Sequence, residues 1–353
     1  MEKFDWKATI KVNIYCLWLV GLWPEDDTGY KFNFYSTYAT ISINFFISVL
    51  GILAAINSFM VDIKFEDSEE LTLYFIGEIL AHIKIYMFVK NMTLLKQLVT
   101  TLNNGRFQPK CLRQRLLIEP ALNFWKMVYN AFTASGGPVI SLWVLLPLLN
   151  KSRELPLSFW YPYNTKTSLV YEMTYLHQVV SIFYTLIAVY NIDMLIAALM
   201  VFIGAQCDIL SDNLRSLQAN TAASFNKKLI NSIKHHQEIL SFAKNCNQFF
   251  NVTLLGQFLA SSVILSLILY RLALDKNVDI KFCAHVVLVA FYMIQIFTYC
   301  WFGNEVEIKS NQIPYSIFES EWTHYALIGK EDMMTFITYI LRFFELLGLI
   351  LLY

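Results

Sequence analysis

The stretch TYCWFGNEVEIKSNQIPYSIFESEWTHY, residues 298–325, decides the fold, because an apolar helix gives way to a charged amphipathic segment within it. The sequence predicts that the apolar helix ends at Gly303. After Pro314, four aromatic residues recur at spacings of three and four, which places them on one side of a helix. These residues are Tyr315, Phe318, Trp322 and Tyr325. The segment is too polar to span a bilayer, so we expect it to pack in water against a partner near the membrane.

The composition is that of an integral membrane protein. Hydrophobic residues make up 56% of the 353 residues and charged residues only 15%, against roughly 45–50% and 25% in soluble domains. A sliding window of about 19 residues predicts seven spanning helices and therefore an all-α bundle. The predicted spans are residues 36–58, 70–89, 124–149, 175–205, 250–270, 282–302 and 333–353.

Basic residues predict the orientation of these spans. Seventeen Lys and Arg residues fall on the side of the N-terminus and seven on the other side. Because cytoplasmic loops carry the excess of Lys and Arg, the N-terminus is expected in the cytoplasm. Seven spans then place the C-terminus outside, which is opposite to the orientation of a G-protein-coupled receptor.

Several classes of function find no support in the sequence. The net charge is zero and the basic loop 90–123 lies between two spans, which argues against nucleic acid binding. The sequence contains no paired intramembrane carboxylates, nucleophile elbow, phosphate loop or zinc-type spacing, so we expect no enzyme activity, no cofactor and no metal. His235 and His236 are expected to form a solvated helix face, and the cysteines no disulfide.

Three further segments predict special structure. Residues 135–138, SGGP, indicate that the third span is kinked or locally unwound beside a cavity. The outer loop 155–175 is rich in proline and aromatic residues, which favours an ordered lid. Apolar rows at helical spacing in 209–250 predict that the fourth and fifth spans continue into the cytoplasm. Their spare apolar faces favour subunit assembly over a purely intrachain bundle.

These residues resemble the insect odorant receptor family, whose members are seven-helix ligand-gated cation channels that assemble with a shared co-receptor. The loop LPLSFWYPYNT and the final block YCWFGNEVEIKSNQIPYSIFESEWTHY carry much of the resemblance. Two helical blocks carry the rest: DMLIAALMVFIGAQCDILSDNL, residues 193–214, and HHQEILSFAKNCNQFFNVTLLGQFLASS, residues 235–262.

The resemblance implies four parts of the chain. They are a cytoplasmic N-terminal segment with an interfacial helix (1–35), six transmembrane helices (36–302), a cytoplasmic anchor helix 7a (303–342), and a remnant or atypical start of the pore helix 7b (343–353). The four aromatic residues after Pro314 would then hold subunits together. The implied partners are a co-receptor in a heterotetramer, a small volatile odorant and the lipid bilayer of the plasma membrane of olfactory sensory neurons.

The resemblance also implies an odorant pocket in the outer halves of the helices, with ordinary helix packing as the alternative for each residue. The implied pocket residues are Tyr74, Phe75, Val139, Trp143, Val179, Ile182, Phe183, His285, Leu288 and Tyr292. An apolar pocket suits a volatile molecule held by desolvation and dispersion. His177, Gln178 and His285 could supply a polar contact.

The end of the chain departs from the family pattern. Only FFELLGLILLY follows Arg342, and eleven helical residues rise about 16 Å, half of the hydrocarbon thickness. The sequence therefore predicts a truncated last helix, unless 333–353 forms one span with Arg342 and Glu345 near its middle. Three functions stay open: a conducting subunit, a non-conducting truncated subunit, and a seven-helix receptor of the G-protein-coupled type.

Overall fold

The computed structural model describes residues 3–25, 33–60, 65–149, 155–157, 159–165, 167–217, 221–274 and 280–320. Every regular element in these ranges is helical, which confirms the all-α class. The helices are α1 Trp6–Thr9, α2 Lys11–Leu19, α3 Phe34–Ile43, α4 Val49–Met60, α5 Phe65–Lys90, α6 Met92–Thr101, α7 Leu112–Leu149, α8 Ser168–Arg215, α9 Ala222–Leu274 and α10 Ile280–Phe318. A π-helical turn, Asn44–Ser48, joins α3 to α4.

Within the described residues, five helical segments are long and apolar enough to cross a membrane. They are Phe34–Asn57, Thr72–Lys90, Leu169–Arg215, Ala223–Leu274 and Phe282–Phe318. Each contains or closely matches one of the predicted spans. The predicted span 124–149 lies inside α7, and the predicted span 333–353 lies outside the described residues.

Helix α8 is the centre of the bundle. It contacts α2, α5, α7, α9 and α10. From residue 191 to residue 212 all its side chains are buried except that of Asp208, which is partly buried. A helix that is apolar on all sides is stable in a protein core when other helices surround it. The run DMLIAALMVFIGAQC therefore fixes α8 as the element around which the other helices pack.

The bundle has two ends, which we name by their contents. The loop end carries the segment 155–165 and the first turns of α8. The extension end carries the last turns of α8 and α10 and the first half of α9. The predicted apolar row of the extension end is confirmed, because Leu210, Leu214 and Leu217 are all buried.

The expectation that the apolar helix ends at Gly303 is wrong. Helix α10 runs without a break through Gly303 and also through Pro314. A glycine costs a helix only about 1 kcal/mol relative to alanine, so tertiary packing can override it. Here Phe302 and Val306 are buried on either side of the glycine, and Ile313 and Ile317 are buried around the proline.

Two more local predictions need correction. Helix α7 remains helical through 135–138, so the SGGP sequence does not unwind it, and the alternative of a kink stays a prediction. His235 and His236 are not a solvated face, because they are only 3% and 1% exposed. The His235 ring lies edge-on to Phe107, with 5.6 Å between ring centroids. The turn before α7 therefore covers a surface that looks polar in the sequence.

Candidate ligand site at the loop end

The described part of the loop 155–165 packs into the bundle. Leu157 and Phe159 are each 6% exposed and form a small apolar core with Leu50 and Ala54 of α4. Partly buried side chains surround this core. They are Leu53, Tyr74, Phe75, Tyr161 and Ile182. We call these nine residues the loop cluster.

Hydrogen bonds hold the loop in place over this cluster. The side-chain amide of Gln178, which is fully buried, accepts from the backbone N–H of Leu157 at 3.0 Å and donates to its carbonyl oxygen at 3.0 Å. It also donates to the Tyr161 hydroxyl at 2.9 Å. Asn57 accepts from the backbone N–H of Trp160 at 2.7 Å. Gln178 therefore positions the loop, since its amide already has partners on both atoms.

Three of the predicted ligand residues meet in the loop cluster. Tyr74 and Phe75 reach it from α5 and Ile182 reaches it from α8. The Tyr74 ring lies edge-on to Phe159, with 5.5 Å between centroids. Val179 and Phe183 are half-buried on the same stretch of α8, and no described contact places them in the loop cluster.

The remaining predicted ligand residues lie on α7 and α10. The side chains of Val139 and Trp143 lie outside the described residues, so their role stays a prediction. His285 and Tyr292 are half-buried, and Leu288 is 36% exposed. The described contacts do not bring these three residues to the loop cluster. The Nδ1 atom of His285 is buried without a hydrogen-bond partner among the described residues, which keeps it available as a polar contact.

Glu78 is a residue that sequence reasoning missed. It is 4% exposed and lies one helical turn after Tyr74, whose hydroxyl donates to its Oε1 atom at 2.7 Å. Its other oxygen has no hydrogen bond among the described residues and lies 3.8 Å from Nδ1 of His82. The sequence signal was a carboxylate inside an apolar span, because an ionisable residue at that depth marks a functional site by default.

A buried polar layer separates the two ends of the bundle. Lys84 of α5, fully buried, forms an ion pair with Asp193 of α8 at 2.6 Å. Gln295 of α10 donates to the second oxygen of Asp193 at 2.7 Å. Gln257 of α9 donates to Gln295 at 3.0 Å. One buried charge pair and its two glutamine partners thus link four helices. The sequence could have marked Lys84 and Asp193 as unusual, because each is a lone charge in an apolar span.

The N-terminal helices join α8 beside this layer. The Asn13 amide of α2 donates to the carbonyl oxygen of Asn191 at 2.9 Å, and the Tyr129 hydroxyl of α7 donates to the Asn191 side chain at 2.9 Å. The aromatic run near the N-terminus therefore packs on the bundle through a polar contact as well as through buried Ile14 and Leu17.

The extension end leaves part of the predicted assembly face open. Tyr315 is 68% exposed and Phe318 is 56% exposed, on the last turns of α10. Ile313 and Ile317 on the same turns are buried, so α10 has one packed and one open apolar face. Trp322 and Tyr325 lie outside the described residues.

Comparisons with a family model and with known proteins point to the same family. A family model described as "7tm Odorant receptor" matches residues 69–352. The chain is 22% identical to odorant receptor Or1 of Anopheles gambiae, over 97% of this chain and 88% of that protein. It is 20% identical to odorant receptor 46a, isoform A, of Drosophila melanogaster, over 90% of this chain and 84% of that protein.

The fold also has a counterpart among solved structures. The insect olfactory receptor OR5 from Machilis hrabei, in complex with eugenol, superposes with a TM-score of 0.81. The alignment covers 97% of this chain and 91% of that chain at 17% sequence identity. At this identity the match shows the shared fold.

Proposed function

Because this chain belongs to the 7tm odorant receptor family, we propose that it is the odorant-tuning subunit of a ligand-gated, non-selective cation channel. Family membership makes it a membrane receptor and not an enzyme. The proposal adds that a small volatile molecule opens the channel and that the subunit works with a co-receptor in the plasma membrane of olfactory sensory neurons. The loop end then faces outside and the extension end faces the cytoplasm.

The loop cluster is the observation that carries this proposal. Its members come from α4, α5, α8 and the loop, and three of them are the aromatic and aliphatic residues expected to touch ligand: Tyr74, Phe75 and Ile182. Ligand sites are mostly apolar, with a few placed polar groups. Glu78 and Tyr74 supply such a pair beside the cluster. The related fold in complex with eugenol, a small aromatic molecule, supports a ligand of similar size.

The open face of α10 supports assembly with a co-receptor. Exposed aromatic side chains next to a packed face are typical of interaction surfaces. We propose that Tyr315 and Phe318, together with Trp322 and Tyr325, contact a neighbouring subunit in a heterotetramer. The buried side chains on the opposite face of the same turns hold α10 to α8 and keep the aromatic face in position.

The test is an electrical recording from cells that express this chain with the co-receptor. We expect a panel of small volatile odorants to evoke an inward cation current. Phe159→Ala should shift the half-maximal odorant concentration by about tenfold or abolish the response, because Phe159 is a buried member of the loop cluster and packs edge-on against Tyr74. Trp160→Ala is the matched control, since Trp160 is the next residue, also aromatic, and 51% exposed.

The proposal would be contradicted by the absence of any odorant-evoked current while a surface-labelling assay shows normal delivery of both subunits. Equal loss of response in Phe159→Ala and Trp160→Ala would contradict the assignment of the ligand site to the loop cluster.

A further inference from the structure

The extension end contains a basic cavity far from the loop cluster. Its volume is about 380 Å³, and it lies between the turn before α7, the last turns of α8 and the first turns of α9. Three cationic side chains line it: Arg106, Lys110 and Lys228. None of the described side chains that line it is acidic. A concave surface lined by cations concentrates their electric field and attracts anions.

The cations are only partly neutralised. Arg106 forms an ion pair with Glu238, which leaves other N–H groups of its guanidinium available. The ammonium group of Lys110 has no ion-pair partner among the described residues. Nearby Asp212 is paired with Arg113 at 3.1 Å. With three cationic and no acidic side chains in its described lining, the cavity carries a net positive charge.

Neutral donors complete the lining. The side-chain oxygen of Asn213 accepts from Gln114 at 3.1 Å, which fixes the orientation of that amide. Its NH₂ group has no partner among the described residues. Asn231 also lines the cavity with a side-chain amide. Amide N–H groups beside Lys and Arg are the donors that phosphate oxygens use in proteins.

His235 forms a buried wall of the cavity. It is 3% exposed, and its Nε2 atom lies 3.1 Å from the side-chain oxygen of Gln206. Burial, together with the neighbouring Lys110, His236 and Arg106, lowers the pKa of His235 to about 3. The ring is therefore neutral at physiological pH, and the positive field comes from the lysines and the arginine.

The distance of His235 from the predicted span on α9 distinguishes a lipid headgroup from a dissolved anion as the source of phosphate. His235 lies fifteen residues before residue 250, where the predicted span begins, and fifteen helical residues rise about 22 Å. The headgroup layer of a bilayer is roughly 5–8 Å thick on each side. A lipid headgroup would have to leave its layer to reach the cavity, whereas a dissolved anion would not.

We propose that this cavity binds a soluble anion with at least two phosphate groups. Several cations around a space of this volume match several negative charges better than they match a single carboxylate or phosphate. The proposal does not depend on channel activity and can be tested on the purified chain.

The experiment measures binding to the full chain in nanodiscs of neutral lipid. Pyrophosphate and inorganic phosphate are titrated calorimetrically at low salt, and we expect saturable binding that is at least about tenfold tighter for pyrophosphate. Lys110→Gln and Lys228→Gln should each weaken pyrophosphate binding by about fivefold or more. Lys227→Gln is the matched control, because it removes the same charge from the neighbouring residue of α9, outside the cavity lining.

Three outcomes would overturn the proposal. One is no saturable binding of pyrophosphate by a folded chain, with folding checked by thermal unfolding. Another is the same loss of affinity for Lys227→Gln as for Lys228→Gln, which would indicate a diffuse surface charge. The third is binding of phosphatidylinositol 4,5-bisphosphate supplied in the lipid of the nanodisc, without binding of free pyrophosphate, which would assign the cavity to a lipid headgroup.

Discussion

The loop end and the extension end of the bundle are packed in different ways. At the loop end, the described members of the loop cluster include four buried side chains, and half-buried side chains surround them. At the extension end, α8 runs through a continuous core in which Leu199, Phe202 and Leu210 are fully buried. Among the described residues, the extension end is therefore the more tightly packed of the two, and the loop end has more half-buried side chains around its core.

The largest expected effect comes from the polar layer between the ends. Lys84→Met leaves Asp193 buried without its cation, which should cost about 3–5 kcal/mol of stability. The measurement is the thermal unfolding temperature of the purified chain in detergent, together with surface delivery in cells. Lys90→Met is the control, because Lys90 ends the same helix and is exposed.

A double substitution distinguishes a lost charge partner from lost packing. Lys84→Met combined with Asp193→Leu replaces both charges by apolar side chains, so stability should recover in part. If Lys84→Met alone left the unfolding temperature unchanged, the ion pair would have no structural role and the two ends would not be joined through it.

The next-largest effect is on stability, and it should differ between the core of the extension end and the loop cluster. Phe202→Ala opens a cavity in the extension-end core and should cost about 3–5 kcal/mol. Phe159→Ala removes a ring of similar burial from the loop cluster and should cost less, about 1–3 kcal/mol, since the half-buried neighbours can close around the space. Unfolding temperatures of both variants, measured side by side, check this order. Equal losses would mean that the two ends are equally rigid.

A smaller effect is expected from the hydrogen bonds that hold the loop. Gln178→Leu leaves the backbone N–H and carbonyl of Leu157 without their partner, which should cost about 1–3 kcal/mol. The loss should be local, so limited proteolysis should cut the 155–165 segment faster while the core of α8 stays protected. Unchanged cleavage of this segment would show that packing alone holds the loop.

The smallest effect on stability is expected at the open face of α10. Tyr315→Ala and Phe318→Ala remove exposed side chains, so each should change stability by no more than about 0.5 kcal/mol. Co-purification with the co-receptor should nevertheless fall severalfold if this face contacts a subunit. Ile317→Ala is the contrasting variant, because Ile317 is buried and its loss should destabilise the chain itself. An unchanged co-purified fraction would remove Tyr315 and Phe318 from the interface.

The sequence predicted the elements marked by long apolar runs or by apolar residues at helical spacing. It missed the features that depend on tertiary contacts. Long apolar runs predicted the spans, and the row Leu210, Leu214 and Leu217 predicted a buried face. The end of a helix at Gly303 was wrong because packing of α10 on α8 outweighs the intrinsic cost of one glycine. His235 was misjudged because its cover, the turn with Phe107, lies far away in the sequence.

The candidate site shows the same limit. Tyr74, Phe75 and Ile182 could be chosen by resemblance, but only the structure shows that they pack against a core that contains Leu157 and Phe159. Pairing of Lys84 with Asp193 also joins residues 109 positions apart. Sequence marks each charge as unusual in an apolar span, and the fold alone decides which charges meet.

The most direct test of the central claim is hydrogen–deuterium exchange on the chain co-assembled with its co-receptor, with and without an activating odorant. If the loop end is the ligand site, the odorant should slow exchange in the 155–165 segment and in α5 around Tyr74 and Glu78, and it should leave residues 193–212 of α8 unchanged. Protection confined to the extension end, with none in the 155–165 segment, would contradict a ligand site at the loop end.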